Sequence, residues 1–306
     1  MQTFPRMPRP GRACHFCAEW IGLAAVAVLD AVLIWSTGFH LLMSWRNGAI
    51  AAIVLCLMAL LYGLRQRRSG MIAEYLALNI IAASLFCVFT YLCMAVSGPL
   101  ADSRLLAIDR ALGFDWLAGF RLINAHPLVW KFLSLLYYGV FCEAIYFNVL
   151  FGLLDRPDRM RETFRILFVS LLLTGAGAIL YPALGPFKVF GLESYGAFLP
   201  DMERLHAGHD LTFSLSKLSG VIGFPSFHTT LVLAYTYAFR RTGVIGYAIT
   251  AINCVLLVSV PFVGGHYLAD MIGGVAVLLA SLGIVRLVRL PLVTGYPPAS
   301  LEQSVS

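Results

Sequence analysis

The stretch 223-GFPSFHTTLVLAYTYAFRR-241 decides how the chain is read. It opens on a proline, a serine and a histidine, runs through mostly apolar residues and stops at Arg240 and Arg241. The arginine pair reads as a membrane helix leaving the bilayer, because a charge held in hydrocarbon is costly. A Pro-Ser-Phe-His cluster at the opposite threshold of the same helix needs a reason.

The composition agrees with a membrane setting. Of 306 residues, 59% are hydrophobic and 12% charged, against ~25% charged in a soluble domain. The mean hydropathy is +0.81. The net charge of +6 comes from 22 Lys+Arg against 16 Asp+Glu. In a membrane protein that excess reports topology, and without a basic run interleaved with aromatics no nucleic-acid partner is expected. A span needs ~20 mostly apolar residues. Eight stretches qualify, at about 20–43, 48–64, 75–96, 128–154, 164–184, 222–239, 243–263 and 266–285. The expected fold class is therefore all-α, a polytopic membrane helix bundle of about eight transmembrane helices. It forms one catalytic domain over 20–290 between tails at 1–19 and 291–306. Asp30 interrupts the first apolar run and no A-x-A cleavage site follows, so that run reads as an uncleaved helix.

This count places 14 of the 22 basic residues on the side of the N-terminus, with every loop on that side basic. The positive-inside rule then puts both termini in the cytoplasm of a multi-pass protein of the plasma (inner) membrane, with the chemistry on the outer face. Two outer segments, 97–127 and 185–221, are long enough to hold short helices or a functional loop. The first carries 109-DRALGFDW-116.

The polar residues converge on that outer side. His228 and His266 are 38 residues apart, or two crossings of ~19 residues at ~1.5 Å each, close to the ~30 Å hydrocarbon thickness. Both imidazoles therefore reach one face, and 181-YPALGPFK-188 arrives there too. His266 and Asp270 are spaced to share a helix face. Alone, each feature has a bland reading: a hydrogen-bonded pair, a Pro225 in a first turn, a Ser226 cap. Together, two helix N-termini with free N–H groups make an anion site, Lys188 adds a charge, and two histidines offer a nucleophile and a proton donor. That set suits phosphoryl transfer. It requires no metal or other cofactor. His206, His209 and Asp210 read as a solvated loop, and the lone Cys14–Cys17 pair falls short of four ligands. The mid-helix carboxylates Asp30 and Glu143 are functional candidates by default, but neither matches His228 in depth.

The ordered motifs 225-PSFH-228 and 266-HYLAD-270 resemble the type 2 phosphatidic acid phosphatase superfamily. With 223-GFPSFHT-229, 265-GHYLADMIGG-274, 181-YPALGP-186 and 109-DRALGFDW-116, they look like its inositol phosphorylceramide synthase-like (inositolphosphotransferase) branch, over roughly residues 100–285. The resemblance implies a six-helix phosphatase-like core and a phosphohistidine mechanism. It makes His266 the nucleophile, Asp270 its orienting partner, His228 the general acid, and Ser226 and Lys188 phosphate-binding residues. Two departures stand out. The Lys-x6-Arg-Pro motif is absent, since Tyr195 lies seven residues after Lys188, and Val260 occupies the place of an arginine six residues before His266. Arg204, Lys217 and Arg121 are the candidates to replace these clamps. The expected partners are a lipid phosphate substrate, membrane lipids and a polyol acceptor. The expected activity is a membrane-embedded lipid phosphatase or phosphotransferase. The rival of another class is a lipid transporter without chemistry, against which stands a polar cluster at one surface and no two related halves.

Overall fold

The computed structural model describes residues 16–45, 49, 52, 53, 56 and 67–288. It is an all-α polytopic membrane bundle, and six of its helices are long and apolar enough to cross a membrane. They are α1 (Cys17–Thr37), α2 (Arg67–Ala95), α5 (Pro127–Leu153), α6 (Pro157–Leu180), α10 (Val244–Val263) and α11 (Leu268–Leu287). Their outward faces stay apolar, with Trp35, Leu135, Val258 and Leu279 among the exposed side chains. That is the surface hydrocarbon chains cover at no desolvation cost. The stretch expected to cross at 48–64 lies almost wholly outside the described residues.

Proline and glycine explain the helix limits. Pro127 and Pro157 open α5 and α6, where the missing N–H has no partner to lose. Gly38, at φ 67°, ends α1 after Thr37 rather than near residue 43 as the apolar run suggested. The largest departure is the sixth stretch. Expected over 222–239, it forms only α9 (Phe227–Ala238), 12 residues long. Pro225 does not sit in its first turn, as expected, but lies ahead of the cap, which is Ser226. Residues 218–226 before it are not helical.

One core runs along the bundle through Leu78, Phe89, Phe147, Phe164, Val232, Tyr235 and Leu256. A second lies at the end where the histidines sit. It is built by the two long segments, which do contain short helices: α3 (Asp102–Ala111), α4 (Trp116–Asn124), α7 (Pro186–Val189) and α8 (Leu199–Ala207). Trp116 anchors it, stacked on Phe120 at 5.1 Å and on Phe190 at 5.5 Å. A parallel pair of short strands, β1 (His40–Leu42) and β2 (Thr212–Ser214), ties the end of α1 to this cap, His40 opposite Thr212.

Candidate active site

α10 and α11 are joined by 264-GGHY-267. Gly265 turns the chain at φ 65°, and a side chain there would strike the Phe187 ring at 2.5 Å. His266 follows, its N–H donating to the Pro261 carbonyl at 3.1 Å. The spacing suggested that His266 and Asp270 share a helix. The helix in fact starts at Leu268, with Tyr267 as cap, and Asp270 reaches back to accept from Tyr267 N at 2.8 Å. The pair still meets: Asp270 Oδ2 is 3.4 Å from His266 Nδ1. Nδ1 has a closer partner in the Gly223 carbonyl at 3.0 Å. A carbonyl only accepts, so Nδ1 carries the proton, and in the neutral ring the lone pair is on Nε2.

His228 enters from the first turn of α9. Ser226 N donates to the Asp270 carbonyl at 2.9 Å, so the two helix starts are bonded directly to one another. The His228 ring stacks on Tyr137 of α5 and its Nδ1 lies 3.1 Å from the Tyr137 hydroxyl. Its Nε2 is buried and has no hydrogen-bond partner among the described residues.

Ser226 is fully buried. Its Oγ caps α9, accepting from Thr229 N at 3.3 Å and Thr229 Oγ1 at 3.2 Å. The expectation that both helix N-termini offer free amides needs correction for α11. Its leading amides are already taken by carboxylates, Tyr267 N by Asp270, and Leu268 N and Ala269 N by Asp109 at 2.9 and 2.8 Å. Unpaired amides remain on α9, where Phe227 N and His228 N have no partner among the described residues.

Lys188 is not brought to the histidines by any contact among the described residues. It is half-exposed on α7 and pairs with Glu203 at 2.6 Å and Glu193 at 3.5 Å, and these carboxylates, Glu203 first, hold its ammonium above the usual lysine range. Of the candidate clamps, Arg204 is engaged by Asp210 and the Thr212 carbonyl, with its guanidinium over the Phe213 ring. Lys217 borders a cavity of about 270 Å³ with Asp201 and Arg204. Arg121 is exposed on α4. His206 lies 3.5 Å from Ser97 Oγ, apart from Asp210 on Arg204. Asp30 is buried without a hydrogen-bond partner among the described residues, and Glu143 accepts from Asn253 at 3.0 Å.

Several residues of the site escaped the sequence reading. Asp102 accepts from Leu184 N, Gly185 N and the Tyr267 hydroxyl at 3.0, 2.8 and 3.0 Å. It thereby ties the segment after α6 to the start of α11. Burial first, then the Asp102 charge, pushes the Tyr267 phenol far above its usual range, so it remains a donor. Asp109 was visible inside the quoted motif, but not as the cap of a distant helix. Burial pushes its carboxyl up, and the two amides pull it back. Tyr137 had no signal, being one tyrosine of an apolar helix.

The comparisons follow this geometry. The family model of the PAP2 superfamily matches residues 103–284, more than half of the chain. The chain belongs to the PAP2 superfamily, a group of phosphatases and phosphotransferases, and is an enzyme of the phosphoryl-transfer kind. No curated protein and no solved structure matches it.

Proposed function

We propose that this protein cleaves a phosphate ester or diphosphate of a lipid through a phosphohistidine on His266. The observation that carries the reading is the state of that ring. Nδ1 is bonded to the Gly223 carbonyl with Asp270 beside it, and Nε2 is left as the nucleophilic nitrogen. Nε2 attacks phosphorus and the bond to the leaving oxygen breaks. His228 Nε2 supplies the proton to that oxygen. The free amides of Phe227 and His228, at the positive end of α9, and the Ser226 hydroxyl are the groups offered to the phosphate oxygens. Lys188 keeps a phosphate role only if it leaves Glu193 and Glu203 when substrate binds. Water then opens the phosphohistidine. The basic residues that begin α6 and end α9 lie at the bundle end opposite the histidines. The positive-inside rule favours that end as cytoplasmic, with the site at the outer leaflet of the plasma membrane.

The test is phosphate release from phosphatidic acid and a polyprenyl diphosphate by the purified protein in lipid. His266→Ala is expected to bring release to background, and wild type quenched in mid-turnover is expected to carry an acid-labile phosphoryl group. Full turnover by His266→Ala would sink the mechanism.

A second reading shares the site and changes the acceptor. Lys188 and Arg204 are neutralised by carboxylates and Val260 stands where an arginine would, so few free cations are at hand. A singly charged diester donor needs fewer cations than a dianionic monoester. That favours transfer of a substituted phosphate to an alcohol, as in the inositol phosphorylceramide synthase-like branch. A new phospholipid that forms only when inositol or another polyol is added would select this reading.

A further inference from the structure

α11 starts beside His266, so its other end lies across the bundle from the histidines. There α1, α6 and α11 frame a groove of about 240 Å³. Ala18 and Gly22 of α1, Phe168 of α6, and Ile284 and Val285 of α11 line it. Gly22 sets its depth, since a Cβ there would meet the Phe168 ring at 3.2 Å. Ile284 and Val288 at its edge stay exposed, so the groove opens on the surface that hydrocarbon covers. It is smaller than the ~300–1,000 Å³ of a drug-sized site and has room for part of one aliphatic chain. The lining is apolar except where Arg165 of α6 meets Glu19 in the first turn of α1. Arg165 spends only one nitrogen on that contact: Nε donates to Glu19 Oε1 at 2.7 Å. Both Nη groups have no partner among the described residues. The Arg165 side chain keeps 23% of its surface exposed and that of Glu19 only 2%, so the carboxylate is covered and the guanidinium fork is presented.

We infer that this groove holds one acidic phospholipid of the leaflet on that side, with an acyl chain between α1 and α11 and its phosphate diester on the Arg165 fork. A groove alone would take any chain, and the guanidinium is what selects the headgroup. Its planar pair of Nη groups matches two oxygens of a phosphate. Side chains on a helix lean toward its N-terminus, which for α6 is the aqueous end, so Arg165 reaches toward headgroup level while its stem stays in the apolar wall. Arg161, one turn nearer that end on the same face, adds a second guanidinium, 5.6 Å over the Phe16 ring. Basic pockets between membrane helices are recurrent seats for acidic headgroups. A zwitterionic headgroup fits less well. Its ammonium would lie among these cations, and the nearest carboxylate, Glu19, is closed to it. The site also falls where the chain adds to its family. α1 lies ahead of the matched residues 103–284, and the lipid would fill the seam between that added helix and the family core. None of these residues lies at the histidine end, so the inference stands apart from the phosphohistidine reading.

The test uses the full-length protein in detergent, titrated with dioleoylphosphatidylglycerol or dioleoylphosphatidylethanolamine. It reads the thermal midpoint and the lipid retained in native mass spectra. Wild type is expected to retain one phosphatidylglycerol, to bind it about tenfold or more tighter than phosphatidylethanolamine, and to melt higher as its concentration rises. Two variants separate headgroup from chain. Arg165→Gln combined with Glu19→Gln removes both charges together, so no buried carboxylate is left stranded, and is expected to lose the preference for phosphatidylglycerol. Ala18→Phe keeps the ion pair and sets a ring at the exposed rim of the groove. It is expected to lose the retained lipid while melting as wild type does without lipid. Equal affinity of wild type for the two lipids would overturn the inference, and so would undiminished phosphatidylglycerol binding in either folded variant. Should the double variant fail to fold, Ala18→Phe decides. A dimer that retains no lipid and that Ala18→Phe takes apart would give the groove to a second copy of the chain and overturn the inference as well.

Discussion

At the scale of single residues, the site is ruled by who satisfies each backbone amide. A phosphate oxygen and a carboxylate compete for the same N–H groups, and at α11 the carboxylate of Asp109 has won. It accepts from Leu268 N and Ala269 N while fully buried. Its role is to hold the start of α11, two residues from His266, against α3. Asp109→Ala would leave two amides buried and unpaired, a loss of about 1–3 kcal/mol for such groups. The expected outcome is a lower thermal midpoint in detergent together with a lower turnover. Asp109→Asn, which keeps one acceptor, should fall between Asp109→Ala and wild type. An unchanged melting curve for Asp109→Ala would show that the cap is dispensable. Ser226 follows the same logic. Its hydroxyl oxygen is already a helix cap for Thr229 N, so its substitution would disturb α9 as well as any phosphate contact.

At the scale of elements, α9 is short for a crossing. Twelve residues cover about 18 Å, well under the ~30 Å of hydrocarbon. The non-helical residues before it continue the path between α6 and α11. That passage is narrow: a Cβ on Gly177 would meet Pro225 at 2.5 Å, and one on Gly274 would meet the Ser226 carbonyl oxygen at 2.5 Å. Ser226 and the turn holding His228 are thus pressed onto α11 by backbone contact with no side chain between. Gly274→Ala is expected to force the two helices apart at a cost of about 1–3 kcal/mol and to reduce turnover with it. Gly283→Ala on the same helix meets open space and should be neutral or stabilising by up to about 1 kcal/mol. Thermal melts of the two variants side by side check this, and equal effects would refute the close-packing account.

At the scale of the whole molecule, two cores do different work. The long core along the bundle sets helix against helix. The aromatic core around Trp116 folds the two long segments over the histidine end, and the Trp116 indole donates to the Pro261 carbonyl at 2.9 Å, one turn before the Gly-Gly-His corner. The orientation proposed for the bundle is open to direct measurement. In a background with the native cysteines replaced, Ser103→Cys and Ser216→Cys, both exposed at the histidine end, should react with a membrane-impermeant thiol reagent on intact cells. Arg241→Cys at the opposite end should react only after the membrane is opened. The reverse pattern would place the chemistry in the cytoplasm.

The sequence by itself determined the membrane class, most of the spans and the two histidines, because these depend on local quantities. Apolar run length sets a span, proline and glycine set its ends, and two crossings bring residues 228 and 266 back to one face. It also flagged Asp109 and Gly265 as parts of motifs, without their tasks. Only the tertiary structure decided that α9 is short, that Lys188 is held by Glu193 and Glu203, that Asp109 occupies the amides of α11, and that Tyr137 lies on His228. The Asp109 and Tyr137 contacts join residues far apart in the chain, 159 positions for Asp109 and Leu268 and 91 for Tyr137 and His228. No periodicity along the sequence encodes which of several nearby groups will claim a donor or acceptor once the helices have packed.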